Sequence, residues 1–447
     1  MSDLDSAFDT YENGNPEGAL LICDALLQKN PDDYGALYLS GTILSELARY
    51  SDAAQRLQRA IHIRPEKKVA FFNLAKVCID LGTMDAALEH IQAYLKLDPL
   101  DAEALVLQAT ILSESGHEKE AEAVFHRALE LAPDFPQAWF NRGNLFKSQA
   151  RSSEALADYE KALALDPHFV QARINLGVVL HALGRFADAV RAYDIALKQD
   201  PMSADAWSNR GISLHFLEKF SDARASYGQA LSLDPEHSEA KVNRAYTSLL
   251  LGDYANGWDD YEARLKSRDY ARIALGPNAF VAELIRIAPK LQDVTGRPVV
   301  LFAEQGVGDI IMFASMICDL LPYASQITLV VDRRLCALMR SSFPQIRVFA
   351  IEDFQKDFVG QGVVCLLLGS LGCLFRRDAA SFRQGAYLVP DPLKVDAFRS
   401  RVPAQGKKRI GISWAGGLAH TRRAARSLDL EDVFRLLGHR DDLALIS

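Results

Sequence analysis

The sequence predicts an α-solenoid of stacked helical hairpins followed by an α/β, doubly wound lobe. Three observations carry that prediction. Seven prolines, Pro31, Pro65, Pro99, Pro133, Pro167, Pro201 and Pro235, stand 34 residues apart, and a fixed period of this length marks repeated helical hairpins. Helix-forming sequence fills each interval between the marks. After Tyr270 the period gives way to short apolar runs separated by helical stretches, the alternation of a parallel sheet.

Within each unit, positions are counted so that the marker proline is position 32. Position 8 is small (Gly41, Ala75, Ala109, Gly143, Gly177, Gly211, Ala245), as is position 20 (Ala53, Ala87, Ala121, Ala155, Ala189, Ala223). Position 24 is large: Leu57, Ile91, Phe125, Tyr159, Tyr193, Tyr227. Small residues beside large ones let two helices interlock. Asp-Pro at 98–99, 166–167, 200–201 and 234–235 ends a helix, because the residue before proline is biased away from the helical region. Eight hairpins are expected, the last over 238–270, with Asp269 where its proline would stand.

Position 6 is Asn73, Asn141, Asn175, Asn209 and Asn243, interrupted by Leu39 and Leu107. Asparagine inside a helix costs about 0.6 kcal/mol relative to alanine, so five at one register call for a reason. Two readings stay open. Carboxamides along the first helices can donate to and accept from an extended peptide backbone, or a tolerated polar residue is simply copied from unit to unit. Trp139 and Trp207 at position 4 read as packing within the repeat, and the histidines form no cluster.

The pattern resembles the tetratricopeptide repeat, which is small at 8, 20 and 27, aromatic at 24 and proline at 32. The asparagine ladder is similar to that of the O-linked N-acetylglucosamine transferases, whose concave asparagines hold the acceptor protein. This resemblance implies a superhelix over 1–270 with a protein or peptide in its concave groove.

In the second region, runs at Pro298–Ala303, Ile327–Val331, Arg347–Ala350, Val363–Leu368 and Arg409–Ser413 read as strands, with helices over Asp309–Leu321 and Arg333–Ser342. Ligands of doubly wound sheets bind outside the strands' carboxyl ends. The first such end is Glu304-Gln305-Gly306-Val307-Gly308-Asp309. Ile311 stands where a third glycine would, and no GK[ST] follows, so dinucleotide and P-loop readings fail. Asp309 on its own reads as a helix cap.

The string AEQGVGDIIMFASMI, after LLGDYANGWDDYEARL, resembles repeat proteins whose C-terminal half is related to the heptosyltransferases of glycosyltransferase family 9. A second block, GISWAGGLAHTRRAARSLDL (411–430), resembles the start of that family's nucleotide-binding lobe. The resemblance implies a GT-B fold, with a Rossmann-like lobe over 279–406 and the start of a second over 407–447. It assigns Asp309 as the general base for the acceptor hydroxyl. It places the donor diphosphate of a nucleotide sugar near Gly306 and Gly308 and on Arg422, Arg423 or Arg426. Without it, the TRRAAR segment reads as a solvated basic face. Only 41 residues run from Lys407 to Ser447, one strand, a loop, a helix and an opening strand, so the expectation is a truncated lobe without a competent sugar-nucleotide site.

Composition limits the alternatives. Residues 1–278 carry 28 Lys+Arg against 41 Asp+Glu, and residues 279–447 carry 22 against 17. An acidic array argues against binding a nucleic-acid backbone. The N-terminus lacks the pattern of a secretory signal, and the longest apolar stretch, Val363–Phe375, is too short to cross a bilayer. Six scattered cysteines without a CxxC pair, and ten histidines without HxxxH spacing, indicate neither a disulfide framework nor a metal site. A cytoplasmic protein with no cofactor is expected. It is either a binding superhelix joined to a glycosyltransferase-like domain or a scaffold whose α/β domain caps the array.

Overall fold

The computed structural model describes residues 3–266, 275–304, 306–401, 408–411 and 443–446. The chain divides into two compact units, Met1–Thr247 and Ser248–Ser447, so the division falls inside helix Ser238–Leu250. Among the described residues no helix is long and apolar enough to cross a membrane.

Fourteen α-helices form seven hairpins, from Asp3–Glu12 with Pro16–Lys29 to Ala204–Phe216 with Phe220–Leu233, and helices Ser238–Leu250 and Tyr254–Tyr261 follow in the same register of the sequence. The turn after each first helix has a residue of positive φ at position 15: Gly14, Ala48, Gly82, Gly116, Ala150, Gly184, Glu218 and Gly252. The next N–H bonds back to the carbonyl five residues earlier, as Arg151 N does to Phe146 O at 2.9 Å, which closes the helix end in a left-handed cap. At the far end, Asp166, Asp200 and Asp234 are extended and their carboxylates accept the N–H two residues on at 2.9, 3.0 and 2.9 Å. The Asp-Pro step thus supplies both the break and its hydrogen bond.

Inside the first unit, helices of one hairpin interlock through positions 8 and 24. A Cβ added to Gly143, Gly177 or Gly211 would lie 2.8, 2.6 or 2.6 Å from the ring of Tyr159, Tyr193 or Tyr227. All three tyrosines are fully buried. Where position 24 is the smaller Ile91 or Phe125, position 8 is alanine. Position 4 fastens the turns: Trp139, Arg173 and Trp207 donate to the carbonyls of Pro133, Pro167 and Pro201 at 2.9, 2.9 and 3.1 Å. The tryptophans therefore hold the preceding turn, as packing residues would.

The second unit holds a four-stranded parallel sheet in the order β3-β2-β1-β4, with β1 Pro298–Phe302, β2 Gln326–Val331, β3 Arg347–Ala350 and β4 Val364–Leu367. Val299–Phe302 and all of β4 are buried, as expected of strands covered on both faces. Helices Val307–Ala314 and Ile317–Leu320 lead from β1 to β2, and Cys336–Ser342 leads from β2 to β3. The single helix expected over Asp309–Leu321 is thus two, broken at Ser315–Met316. β3 reaches β4 through short 3-10 turns at Ile351–Asp353 and Lys356–Phe358. The strand order reverses between β1 and β4, which makes their carboxyl ends the crevice of the sheet. A separate parallel pair joins β5 (Lys408–Gly411) to β6 (Leu443–Ile446).

Helix Tyr254–Tyr261, expected as part of the repeats, packs in this second unit. Trp258 lies so close to Gly372 that a Cβ there would be 2.3 Å from its ring. Cys373 Sγ donates to Trp258 O at 3.1 Å, and Arg377 pairs with Asp259 at 2.5 and 2.9 Å.

Candidate functional site

All five position-6 asparagines stand half-buried on first helices, and most first helices touch the first helix of the next hairpin. Asn73 Nδ2 donates to Thr42 Oγ1 at 3.0 Å and to Tyr38 Oη at 3.3 Å. Asn141 Nδ2 donates to Thr110 Oγ1 at 3.3 Å, and Asn175 Nδ2 to Asn144 Oδ1 at 2.8 Å. Thr42, Thr110 and Asn144 all occupy position 9 of the preceding hairpin.

The threonines settle which way the amides point. Thr42 and Thr110 give their own protons to the carbonyls of Tyr38 and Val106, at 3.0 and 2.9 Å. They can then only accept, so the amide NH2 must face them. Asn144 Oδ1 also accepts from Tyr159 Oη at 2.7 Å. The NH2 groups of Asn73, Asn141 and Asn175 thus bond between hairpins, which turns their carbonyl oxygens the other way. Asn141 Oδ1 accepts from Gln137 Nε2 at 3.0 Å and keeps a second lone pair. Asn209 and Asn243 keep the register, their main-chain carbonyls accepting from the Ser213 and Thr247 hydroxyls at 3.1 and 2.9 Å.

In the second unit, Asp309 stands in the first turn of helix Val307–Ala314, its Oδ2 accepting from Gly306 N–H at 3.3 Å. It therefore caps its own helix. Gly306 and Gly308 are exposed, and neither needs to be glycine for space or φ: a Cβ at 308 meets nothing within 4 Å, and one at 306 only Asp309 Oδ2 at 3.5 Å. Arg422, Arg423 and Arg426 lie outside the described residues. Among the described residues no group of His, Cys, Asp or Glu could hold a metal ion.

The crevice between β1 and β4 is filled by side chains that sequence reasoning missed. Arg264 clamps Glu304, just beyond β1, with Nη2 to Oε1 at 2.7 Å and Nε to Oε2 at 3.2 Å. Its Nη1 donates to Glu262 Oε1 at 2.8 Å and to Tyr261 O at 3.0 Å. Ser370 Oγ, just beyond β4, donates to Glu262 Oε1 at 2.8 Å, and Gly369 N–H reaches Glu304 Oε1 at 3.1 Å. The side chains of Arg264, Glu262 and Glu304 are 2, 4 and 0% exposed, so the cluster is sealed from water. Burial alone would lower the guanidinium's pKa, but the Glu304 and Glu262 carboxylates outweigh it and hold Arg264 above its ordinary value. The sequence signal was an arginine at position 27 of the last unit, where the six preceding units carry Ala or Tyr.

The comparisons with known proteins bear on the first unit. Tetratricopeptide-repeat models match residues 106–167, 143–201, 182–215 and 204–237. These hairpins are tetratricopeptide repeats. A model of anaphase-promoting complex subunit 3 matches 12–94 of the same array. Protein FlbA of Caulobacter vibrioides is 27% identical over 197 residues, which are 39% of this chain and 31% of that protein, so the match spans about a third of the curated relative. A tetratricopeptide repeat protein of Parabacteroides merdae is similar at 18% identity, with 55% of this chain, 97% of that chain and a TM-score of 0.46. YrrB, described as a TPR protein with an unusual peptide-binding site, is similar at 24% identity, with 42% of this chain, 96% of that chain and a TM-score of 0.35. The matched repeats fall on residues whose register, caps and interlocking positions are those described above.

Proposed function

We propose that the tetratricopeptide array is a protein-interaction scaffold whose first-helix face holds an extended peptide of a partner protein. The observation that carries this is the orientation of the asparagines. With their NH2 groups bonded between hairpins, their carbonyl oxygens form a row of acceptors that backbone N–H groups of an extended chain can meet. Such a row reads chain direction and spacing rather than side chains. The test begins with a displayed library of random 12-residue peptides selected on the full chain. Asn73, Asn141 and Asn175 are then replaced together by alanine. Affinity for the selected peptide should fall at least tenfold with far-UV circular dichroism unchanged; undiminished affinity would make the ladder a stitch between repeats and nothing more.

A second reading concerns the α/β unit. Glycines that neither packing nor φ requires, at the carboxyl end of β1 and against a helix N-terminus, keep space open where anions are stabilised. This supports a glycosyltransferase-like lobe of Rossmann type that takes a nucleotide sugar, with Asp309 in the first turn of that helix. Calorimetric titration with UDP- and ADP-sugars tests it, and absence of saturable heat would leave the unit as a cap on the scaffold.

A further inference from the structure

A cleft of about 550 Å³ lies in the second unit between helices Cys336–Ser342 and Pro392–Arg401. It shares no residue with the asparagine ladder or the β1 loop. Its size is that of a pocket for a small organic molecule, roughly 300–1,000 Å³. Half-buried Leu338 and Val395 give it an apolar floor, and Arg334, Lys394 and Arg399 stand around it.

The three cations differ in how far they are committed. Arg334 is held by Asp332 through Nε at 3.0 Å and Nη2 at 2.8 Å, which fixes its plane and leaves Nη1 as a donor. Arg399 touches Asp396 only at 3.5 Å, with both side chains largely exposed, a solvent-screened contact that a better anion displaces. Lys394 has no ion pair among the described residues. The one carboxylate in the lining, Asp391, accepts from Leu393 N–H at 2.9 Å and so faces the start of its own helix. An apolar floor beneath a fixed arginine and two available cations suits a ligand with an apolar body and a doubly charged head.

We propose that this cleft binds a small phosphate monoester with an apolar substituent. The probe is n-octyl phosphate, titrated calorimetrically into the full chain below its micelle concentration, with octyl glucoside and inorganic phosphate as matched halves of the ligand. Saturable binding is expected for octyl phosphate alone. It should weaken at least tenfold in the Lys394→Ala/Arg399→Ala double variant, and in Leu338→Ser. The cationic positions are exposed, so circular dichroism should not change. Equal binding of octyl glucoside or of inorganic phosphate, binding indifferent to the double variant, or no saturable heat with octyl phosphate would each overturn the proposal.

Discussion

Replacing Arg264 by alanine should unfold the second unit selectively, and the size of the effect follows from the cluster. The guanidinium bonds both Glu304 and Glu262, and all three side chains are 4% exposed or less. Removing one partner of a buried ion pair costs about 3–5 kcal/mol, because the remaining charge stays out of water without compensation. With a urea dependence of about 2–3 kcal/mol per molar, the unit's midpoint should fall by about 1–2 M. Arg264→Lys, which keeps the charge but loses the fork, should fall between the two. The assay is urea denaturation at pH 7 followed by tryptophan fluorescence, since Trp258 is buried in this unit. A midpoint shift below about 0.5 M would refute the reasoning.

Other outcomes follow from the array and the thiols. Gly177→Ala should destabilise by about 1–3 kcal/mol through the 2.6 Å clash with Tyr193. Most of that cost should vanish in a Tyr193→Ile background, which restores the alanine–isoleucine pair used at 75 and 91; full additivity in a double-mutant cycle would contradict the packing account. Ala150 has φ 58°, so Ala150→Gly should stabilise by about 0.5–1 kcal/mol in denaturant titration, as relief of left-handed strain exceeds glycine's entropy. A loss of stability would show that the turn is not strained. Cys23 and Cys365 are buried, and burial pushes both thiols up to about 11, so neither should react with an aromatic disulfide reagent at pH 8 until the chain unfolds. Rapid labelling of native chain at either site would contradict their burial.

The repeats were legible because each local rule recurs six or seven times in one chain. Proline, the small residues of positions 8 and 20 and the large residue at 24 repeat at a spacing that packing alone enforces. The left-handed position 15 escaped notice because Ala48, Ala150 and Glu218 interrupt its glycines; the backbone there is fixed by the cap and not by residue type. The Asn–Thr stitch was also out of reach. Positions 6 and 9 meet only across hairpins, 31 residues apart, and no property of either residue alone announces it. In the second unit the strands were legible as apolar runs, but the Arg264–Glu304 clamp joins residues 40 apart whose partnership depends on strand order. Helix Tyr254–Tyr261 keeps the repeat's register in sequence while packing in the other unit, since Trp258 finds Phe313 and Gly372 there and Tyr261 finds Gly369.

The claim that the asparagine carbonyls hold a peptide backbone is tested most directly on the peptide side. A peptide selected on the full chain would be resynthesised with N-methyl groups at alternate residues, which removes donors while leaving every side chain in place. Affinity measured by fluorescence anisotropy should fall at least tenfold for one of the two alternating sets and little for the other, as only one edge of an extended strand faces the ladder. Unchanged affinity for both sets would contradict the account.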